Sequence, residues 1–306
     1  MIFQSMKKYQ KHSFLFLFVC VFFLSAGCAS TGKHAEIQKI PETGTRICIL
    51  GSCAGTEPMP GRHHTAWILQ CGKKLYQFDA GEGCAYTAHI MGLDLTRLHA
   101  VFISHPHIDH NGGLPHLIAV RNKMASKWKL KLAVRPLPIY TPMPSQVAAL
   151  QDFWTAAALN RYDYSQGKNF IPKKVMDGKV FDDGTIRVEA IHNKHCGIPA
   201  DGIWRAFSYR ITVDGKKIAY SGDIRNLEEM APFLKDCDLL LMENGHHKPW
   251  KIAEQIRNNP AWKIRKLMFL HHGRSVLNEP EETAEKTRKA WGKPAGFAYD
   301  KMILEL

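Results

Sequence analysis

Acidic residues are scarce in this chain, and it has no apolar run long enough to cross a membrane. Asp and Glu number 28 against 41 Lys and Arg, a formal net charge of +13. Such an excess argues against cationic partners and favours anionic ones, either a substrate or a lipid surface. The unbroken apolar run at residues 14–24 has 11 members, whereas a spanning helix needs about 20. None of the eight cysteines forms a CxxC pair, which removes the usual zinc-ribbon and dithiol redox signatures. No internal repeat or low-complexity block appears, so the chain does not read as a stacked array.

What is present begins with a basic start. Lys7, Lys8 and Lys11 precede the apolar run without an intervening acid, and Ser25-Ala26-Gly27-Cys28 follows it. That order describes an export signal over residues 1–27. Small residues directly before Cys28 resemble a bacterial lipoprotein cleavage site, although Leu24 stands four residues before the cysteine and Ser25 takes the usual leucine position. The resemblance implies lipidation of Cys28 and a protein held by its lipid anchor to the membrane of a bacterial cell envelope, on the periplasmic or extracellular side. Losing residues 1–27 removes three lysines and leaves a formal charge of +10. Residues 28–45 are polar and aperiodic and read as a tether. Residues 46–306 suit one α/β domain. Its six cysteines, Cys48, Cys53, Cys71, Cys84, Cys196 and Cys237, are open to both disulfide and buried-thiol readings.

The chemistry concentrates at His105-Pro-His107-Ile-Asp109-His110, three imidazoles and a carboxylate within six residues behind Val101-Phe102-Ile103. Imidazole nitrogen and carboxylate oxygen are zinc ligands, and this many can serve more than one ion. If the apolar run continues as a strand, His105 and His107 share a face. Asn111-Gly112-Gly113 then lets the chain fold back, bringing Asp109 and His110 to a second ion. Ligand-type residues recur past other short apolar runs: Asp223 after 218–220, Glu243, His246 and His247 after 239–242, and His271 and His272 after 267–270. In open α/β sheets functional groups gather at the carboxyl ends of strands, so these segments are expected on one rim. Residues 227–234 and 281–291 are helix-compatible, the latter behind Pro280. Residues 186–191 alternate like a half-buried strand and end in His192-Asn-Lys-His195, where two histidines compete for one ligand position.

Ser104-His-Pro-His-Ile-Asp-His-Asn-Gly-Gly resembles the HxHxDH signature of the metallo-β-lactamase-fold hydrolases. Leu50-Gly-Ser-Cys-Ala-Gly-Thr-Glu-Pro and Phe78-Asp79-Ala-Gly-Glu-Gly83 resemble the opening of their ribonuclease Z-like branch, and the likeness runs from about Ile47 to about Arg274. It implies an αββα sandwich of two mixed sheets flanked by helices. It also implies one metal on His105, His107 and His195, a second on Asp109, His110 and His271, and Asp223 bridging both. The family spacing to Tyr209-Arg-Ile favours His195 over His192. Asp79 matches a residue that supports the site by orienting a ligand histidine. Two Zn²⁺ per chain are expected, with Mn²⁺ or Fe as alternatives.

A hydroxide shared by two zinc ions is a nucleophile at neutral pH, because coordination lowers the pKa of water to about 7. The expected activity is therefore phosphodiester hydrolysis of an anionic small-molecule or nucleotide-type substrate. Asp109 would orient the nucleophile, and Glu243, His246 or His247 are placed to protonate the leaving group. Ribonuclease Z-type RNA processing, aryl sulfate or β-lactam hydrolysis, and an iron-bearing redox role are the alternatives. Export would separate the chain from precursor tRNA, and the 121–174 insertion lacks the Gly-Pro-rich arm that grips tRNA in that family. Lys-Trp-Lys-Leu-Lys at 127–131 has two readings, a phosphate-backbone contact through charge and stacking or a solvated amphipathic edge, and the second is the simpler. Thirteen residues separate His195 from Tyr209, more than the branch usually shows, where a pocket wall would stand. His63-His64 fit a pocket or a surface equally well.

Overall fold

The computed structural model describes residues 40–55, 57–127, 136–158 and 169–306. The export signal, Cys28, most of the tether and residues 128–131 of the basic segment lie outside the described residues. Among the described residues, no helix is long and apolar enough to cross a membrane. Ile40 is buried in the core and Arg46 pairs with Glu305 at 2.8 Å, so the packed domain starts before residue 46.

Six strands open the chain: β1 (Thr45–Gly51), β2 (Ala66–Cys71), β3 (Lys74–Phe78), β4 (Leu98–Phe102), β5 (Leu137–Thr141) and β6 (Phe170–Lys174). A second set follows: β7 (Gly178–Asp182), β8 (Ile186–His192), β9 (Phe207–Val213), β10 (Lys216–Tyr220), β11 (Cys237–Asn244), β12 (Ile264–His272) and β13 (Gly296–Phe297). The last strand, β14 (Ile303–Glu305), returns to the first set. The two seven-stranded sheets run β14-β1-β2-β3-β4-β5-β6 and β13-β12-β11-β10-β9-β8-β7. Both are mixed: β3 to β6 and β10 to β13 pair in parallel, and the other neighbours are antiparallel. Parallel neighbours need crossovers. Helices Cys84–Ile90, Leu114–Lys127 and Pro144–Ala158 provide them on one side, and Pro249–Asn258 and Pro280–Trp291 on the other.

Alternating side chains sort this chain into layers. Ile47, Ile49, Trp67 and Phe102 face Tyr209, Ile211, Leu239 and Leu241 in the core between the sheets. Cys48, Leu50, Ile68 and Val101 turn the other way onto Leu114, Leu117 and Ile118. Leu240, Met242 and Phe269 meet Phe233, Ile252 and Trp291. Strands covered on both faces are apolar throughout, which is why the central runs of β11 and β12 show no alternation. Trp67, Phe78, Phe102 and Tyr140 stack in succession at 4.2, 4.8 and 5.1 Å. The fully buried Trp67, Phe78 and Phe102 each contribute about 1.5–3 kcal/mol, and the stack fixes the strand ends that lead to Asp79 and His105. All six cysteines of the domain are free thiols. Burial pushes Cys48, Cys84 and Cys237 up to about 12, so they stay protonated and serve as packing groups.

Candidate metal centre

The loop that follows β4 departs from the extended strand expected there. β4 ends at Phe102, and His107 immediately precedes a one-turn helix, Ile108–Asn111, so a shared strand face does not bring His105 and His107 together. The loop bends instead because its polar backbone is captured. Asp79 N–H donates to Phe102 O at 2.8 Å, Ser104 N–H donates to Asp79 Oδ1 at 2.6 Å, and Tyr209 Oη donates to Ile103 O at 2.7 Å. Asp79 and His271 both take left-handed backbone, φ 51° and 56°. Non-glycine residues are rare there and concentrate at functional sites.

The bend gathers two groups of ligand atoms. His107 Nδ1 lies 2.9 Å from His105 Nε2 and 3.2 Å from His195 Nε2. Asp109, His110 and His271 form the second group, with His110 Nε2 3.6 Å from Asp109 Oδ2. Asp223, at the end of β10, stands between them. Its Oδ2 is 3.7 Å from His105 Nε2 and 3.6 Å from His195 Nε2, while its Oδ1 is 3.3 Å from both His110 Nε2 and His271 Nε2. One carboxylate thus presents one oxygen to each group.

Hydrogen bonds behind the imidazoles set which nitrogen looks inward. Ser104 Oγ donates to Asp79 Oδ2 at 2.8 Å and so accepts from His105 Nδ1 at 3.0 Å. His110 Nδ1 donates to Asp79 Oδ2 at 2.7 Å, and Tyr220 Oη donates to the same oxygen at 2.6 Å. Thr65 Oγ1 donates to Cys53 O at 3.1 Å and accepts from His271 Nδ1 at 2.8 Å. Each proton held at Nδ1 leaves Nε2 with a lone pair facing the centre. His110 Nε2 and Asp223 Oδ1 are buried and have no hydrogen-bond partner. Buried orphans of this kind cost about 1–3 kcal/mol each, and a cation between them satisfies both. Imidazole nitrogens with carboxylate oxygens form a donor set for zinc, manganese or iron, so the residues fit a pair of divalent ions.

The electrostatics run the same way. Burial holds His105 well below the usual imidazole range and brings His195 down to about 4, keeping both neutral as metal ligands must be. Against its burial, Asp223 is held well below the carboxylate range by His271, His110 and His105. Against its burial, His110 is raised well above the ordinary value by the Asp223 and Asp79 carboxylates. In the metal-free site this favours a second proton on His110, at Nε2, and a cation held between Nε2 and Asp223 Oδ1 would take that proton's place.

Residues 77–290 match the model of the beta-lactamase superfamily domain. The chain belongs to that superfamily. Ribonuclease Z from Treponema pallidum is 37% identical over 100 residues, a stretch that covers 33% of this chain and only 29% of that protein. Among solved structures, the metallo-beta-lactamase fold protein YhfI from Bacillus subtilis aligns with TM-score 0.65 at 16% identity, covering 86% of this chain and all 100% of that one. The short form of human tRNase Z aligns with TM-score 0.60 at 20% identity, over 85% and 98%. At those identities the structures speak for the fold alone, an αββα sandwich.

Within this superfamily frame the structure brings His105, His107, Asp109, His110, His195, Asp223 and His271 together. His192 lies elsewhere: its Nδ1 donates to Asp177 Oδ2 at 2.6 Å and its ring stacks on Trp204 at 4.1 Å. His272 is buried, with Nε2 2.6 Å from Ala298 O, and points away from the group. The buried Glu243 turns its carboxylate on His246, accepting from its N–H at 3.0 Å and its Nδ1 at 3.2 Å, and lies 3.4 Å from His247 Nε2. His246 Nδ1 in turn stands 3.7 Å from Asp223 Oδ2. Sequence reasoning missed Ser104, Thr65 and Tyr220, whose hydroxyls become partners only through contacts across loops and sheets. Ser104 alone left a signal, standing directly before the histidine motif.

Proposed function

We propose that this chain is a dinuclear metal-dependent phosphodiesterase acting outside the cytoplasm on nucleotide-type diesters. The observation that carries this reading is the two-sided placement of Asp223, one oxygen toward His105, His107 and His195 and the other toward Asp109, His110 and His271. If two divalent ions are bound, these residues would hold them, and the ions would supply a water of lowered pKa and offset charge on the phosphoryl oxygens. Asp109, fixed by the Gly55 N–H at 2.9 Å, faces the cleft and orients the attacking water. Arg274 lies on the cleft wall, paired with Glu57, and offers a fork of N–H donors to a phosphoryl group. His246 is half-exposed and held by Glu243; it delivers a proton to the departing oxygen while Glu243 positions it.

Zinc-loaded protein should cleave bis(p-nitrophenyl) phosphate, and His107→Ala should abolish that cleavage without unfolding the domain. No turnover of phosphodiesters, aryl sulfates or β-lactams by the loaded wild type would end the hydrolase reading. Likeness to ribonuclease Z supports a second reading, RNA processing, so a precursor tRNA belongs in the same assay. The compartment separates the two. Labelled palmitate entering the mature chain, and its loss in Cys28→Ala, would place the protein at a membrane. A cytoplasmic chain retaining Met1 would favour RNA processing.

A further inference from the structure

Beside the metal cleft lies a larger cavity of about 710 Å³, walled by His63, Glu82, Tyr86, Ile90, Ile108 and Lys301 among others. Ile108, between the metal-facing residues His107 and Asp109, lines both spaces, so the two are neighbours across one side chain. The cavity has a fixed floor. Arg62 donates to Ser52 Oγ at 2.8 Å, Ser52 donates to Asp300 Oδ1 at 2.7 Å, and Asp300 Oδ2 accepts from His63 N–H at 2.6 Å. Its rim is unusual for a water-facing surface. Tyr86 and Ile108 are each 58% exposed, and the Tyr86 ring meets the His63 ring edge-on at 6.3 Å.

Glu82 supplies the polar edge. Its Oε2 accepts from His63 Nδ1 at 3.1 Å, while its Oε1 has no partner among the described residues. Glu82 reaches this position because glycines flank it. A Cβ at Gly83, where φ is +80°, would come within 2.1 Å of His63 Nδ1, and one at Gly81 within 2.5 Å of Asp109 O. The Gly-Glu-Gly segment is therefore pressed between the metal loop and the cavity wall, coupling their positions.

We infer that this cavity is a nucleobase subsite: it takes the base of a nucleotide diester whose phosphate lies in the metal cleft. Tyr86 and the Ile108 side chain offer a flat apolar rest for a heteroaromatic ring. Glu82 Oε1 accepts from a base edge that carries a ring N–H, as guanine and thymine do. Lys301, exposed on the cavity wall, offers a positive charge to an anionic substrate. As a substrate site this rests on the phosphodiesterase reading; as a binding site it does not.

The test uses the full zinc-loaded chain and two substrates, bis(p-nitrophenyl) phosphate and the p-nitrophenyl ester of thymidine 5′-phosphate. Tyr86→Ala should raise KM for the nucleotide ester about tenfold with kcat little changed, the loss expected of one base–aromatic stack. Its kinetics on bis(p-nitrophenyl) phosphate should stay within about twofold. Tyr86→Phe should restore the nucleotide KM, and Glu82→Leu, which removes the acceptor, should raise it without touching the other substrate. Equal losses on both substrates, or an unchanged nucleotide KM in Tyr86→Ala, would overturn the subsite. If the wild type cleaves neither ester, the phosphodiesterase reading fails and calorimetry with guanosine 5′-monophosphate decides the cavity. Binding by wild type that weakens in Tyr86→Ala supports it; no binding, or equal binding by both, overturns it.

Discussion

Asp183 and Asp223 are carboxylates at opposite ends of one sheet, and they are held in opposite ways. Asp183 lies in the turn between β7 and β8, at the end where β10 begins. It accepts from Lys74 Nζ at 3.0 Å, Tyr76 Oη at 2.7 Å and the backbone N–H groups of Thr185 and Ile186 at 2.9 and 3.1 Å. Against partial burial, those donors hold its pKa down to about 2. Asp223, where β10 ends, is also held low, but by imidazoles, and its Oδ1 accepts no hydrogen bond. A saturated carboxylate ties Lys74 and Tyr76 of one sheet to the other. An unsaturated one is available to cations. The end that holds the fold together satisfies its polar atoms internally, whereas the metal-facing end leaves them open at a cost of about 1–3 kcal/mol per buried group.

The sharpest way to break that contrast is Asp223→Ala. Metal analysis should show loss of both ions, and diester turnover should fall by more than the roughly 100-fold that marks loss of an outer partner. Metal at a thousandfold excess over Kd stabilises a fold by about 4 kcal/mol, so chelation should lower Tm in the wild type and not in the variant. Retained turnover would remove Asp223 from its bridging place.

Asp79→Asn comes next. The amide cannot accept from all of Ser104, His110 and Tyr220, so zinc affinity measured by chelator competition should drop about 10- to 100-fold while the fold persists. Unchanged affinity would disconnect Asp79 from the metal.

At the other end, Asp183→Asn should cost about 1–2 kcal/mol in urea unfolding at pH 7 with metal content unchanged. The sign follows from a folded pKa of about 2 against an ordinary 3.8. Its contribution is present above pH 3.8 and fades as pH falls through 3.8 toward 2. Wild-type metal-free protein should therefore lose stability across that interval more steeply than the variant, and parallel curves would refute the assignment. The smallest effect belongs to His192→Ala, which gives up a partly exposed bond to Asp177 and a stack on Trp204. Bound metal should stay the same, and stability should change by under about 1 kcal/mol. Metal loss there, but not in His195→Ala, would exchange the two histidines.

Several of these elements were legible as strings. The strand runs before Asp223, Glu243 and His271 are buried strands, the alternating segment before His192 is a half-buried one, and the helix behind Pro280 spans Pro280–Trp291. The sequence pattern joins His105 and His107 through a strand face, whereas the structure joins them through a captured loop. Family spacing favours His195 over His192. Only the structure gives a physical ground, an Asp177 carboxylate and a Trp204 ring that hold His192 aside.

By itself the sequence determined the donor inventory, the layering and the end of the sheets where the donors collect, because ligand chemistry and two-residue alternation are local properties of a string. The tertiary structure alone decided which Asp223 oxygen serves which group, which hydroxyls hold Asp79 and His271, and that Glu82, Tyr86 and Ile108 share a cavity. Those facts depend on segments up to 206 residues apart, as Thr65 and His271 are. Register between sheets and the direction of single lone pairs are fixed by packing, and no periodicity in the chain encodes them.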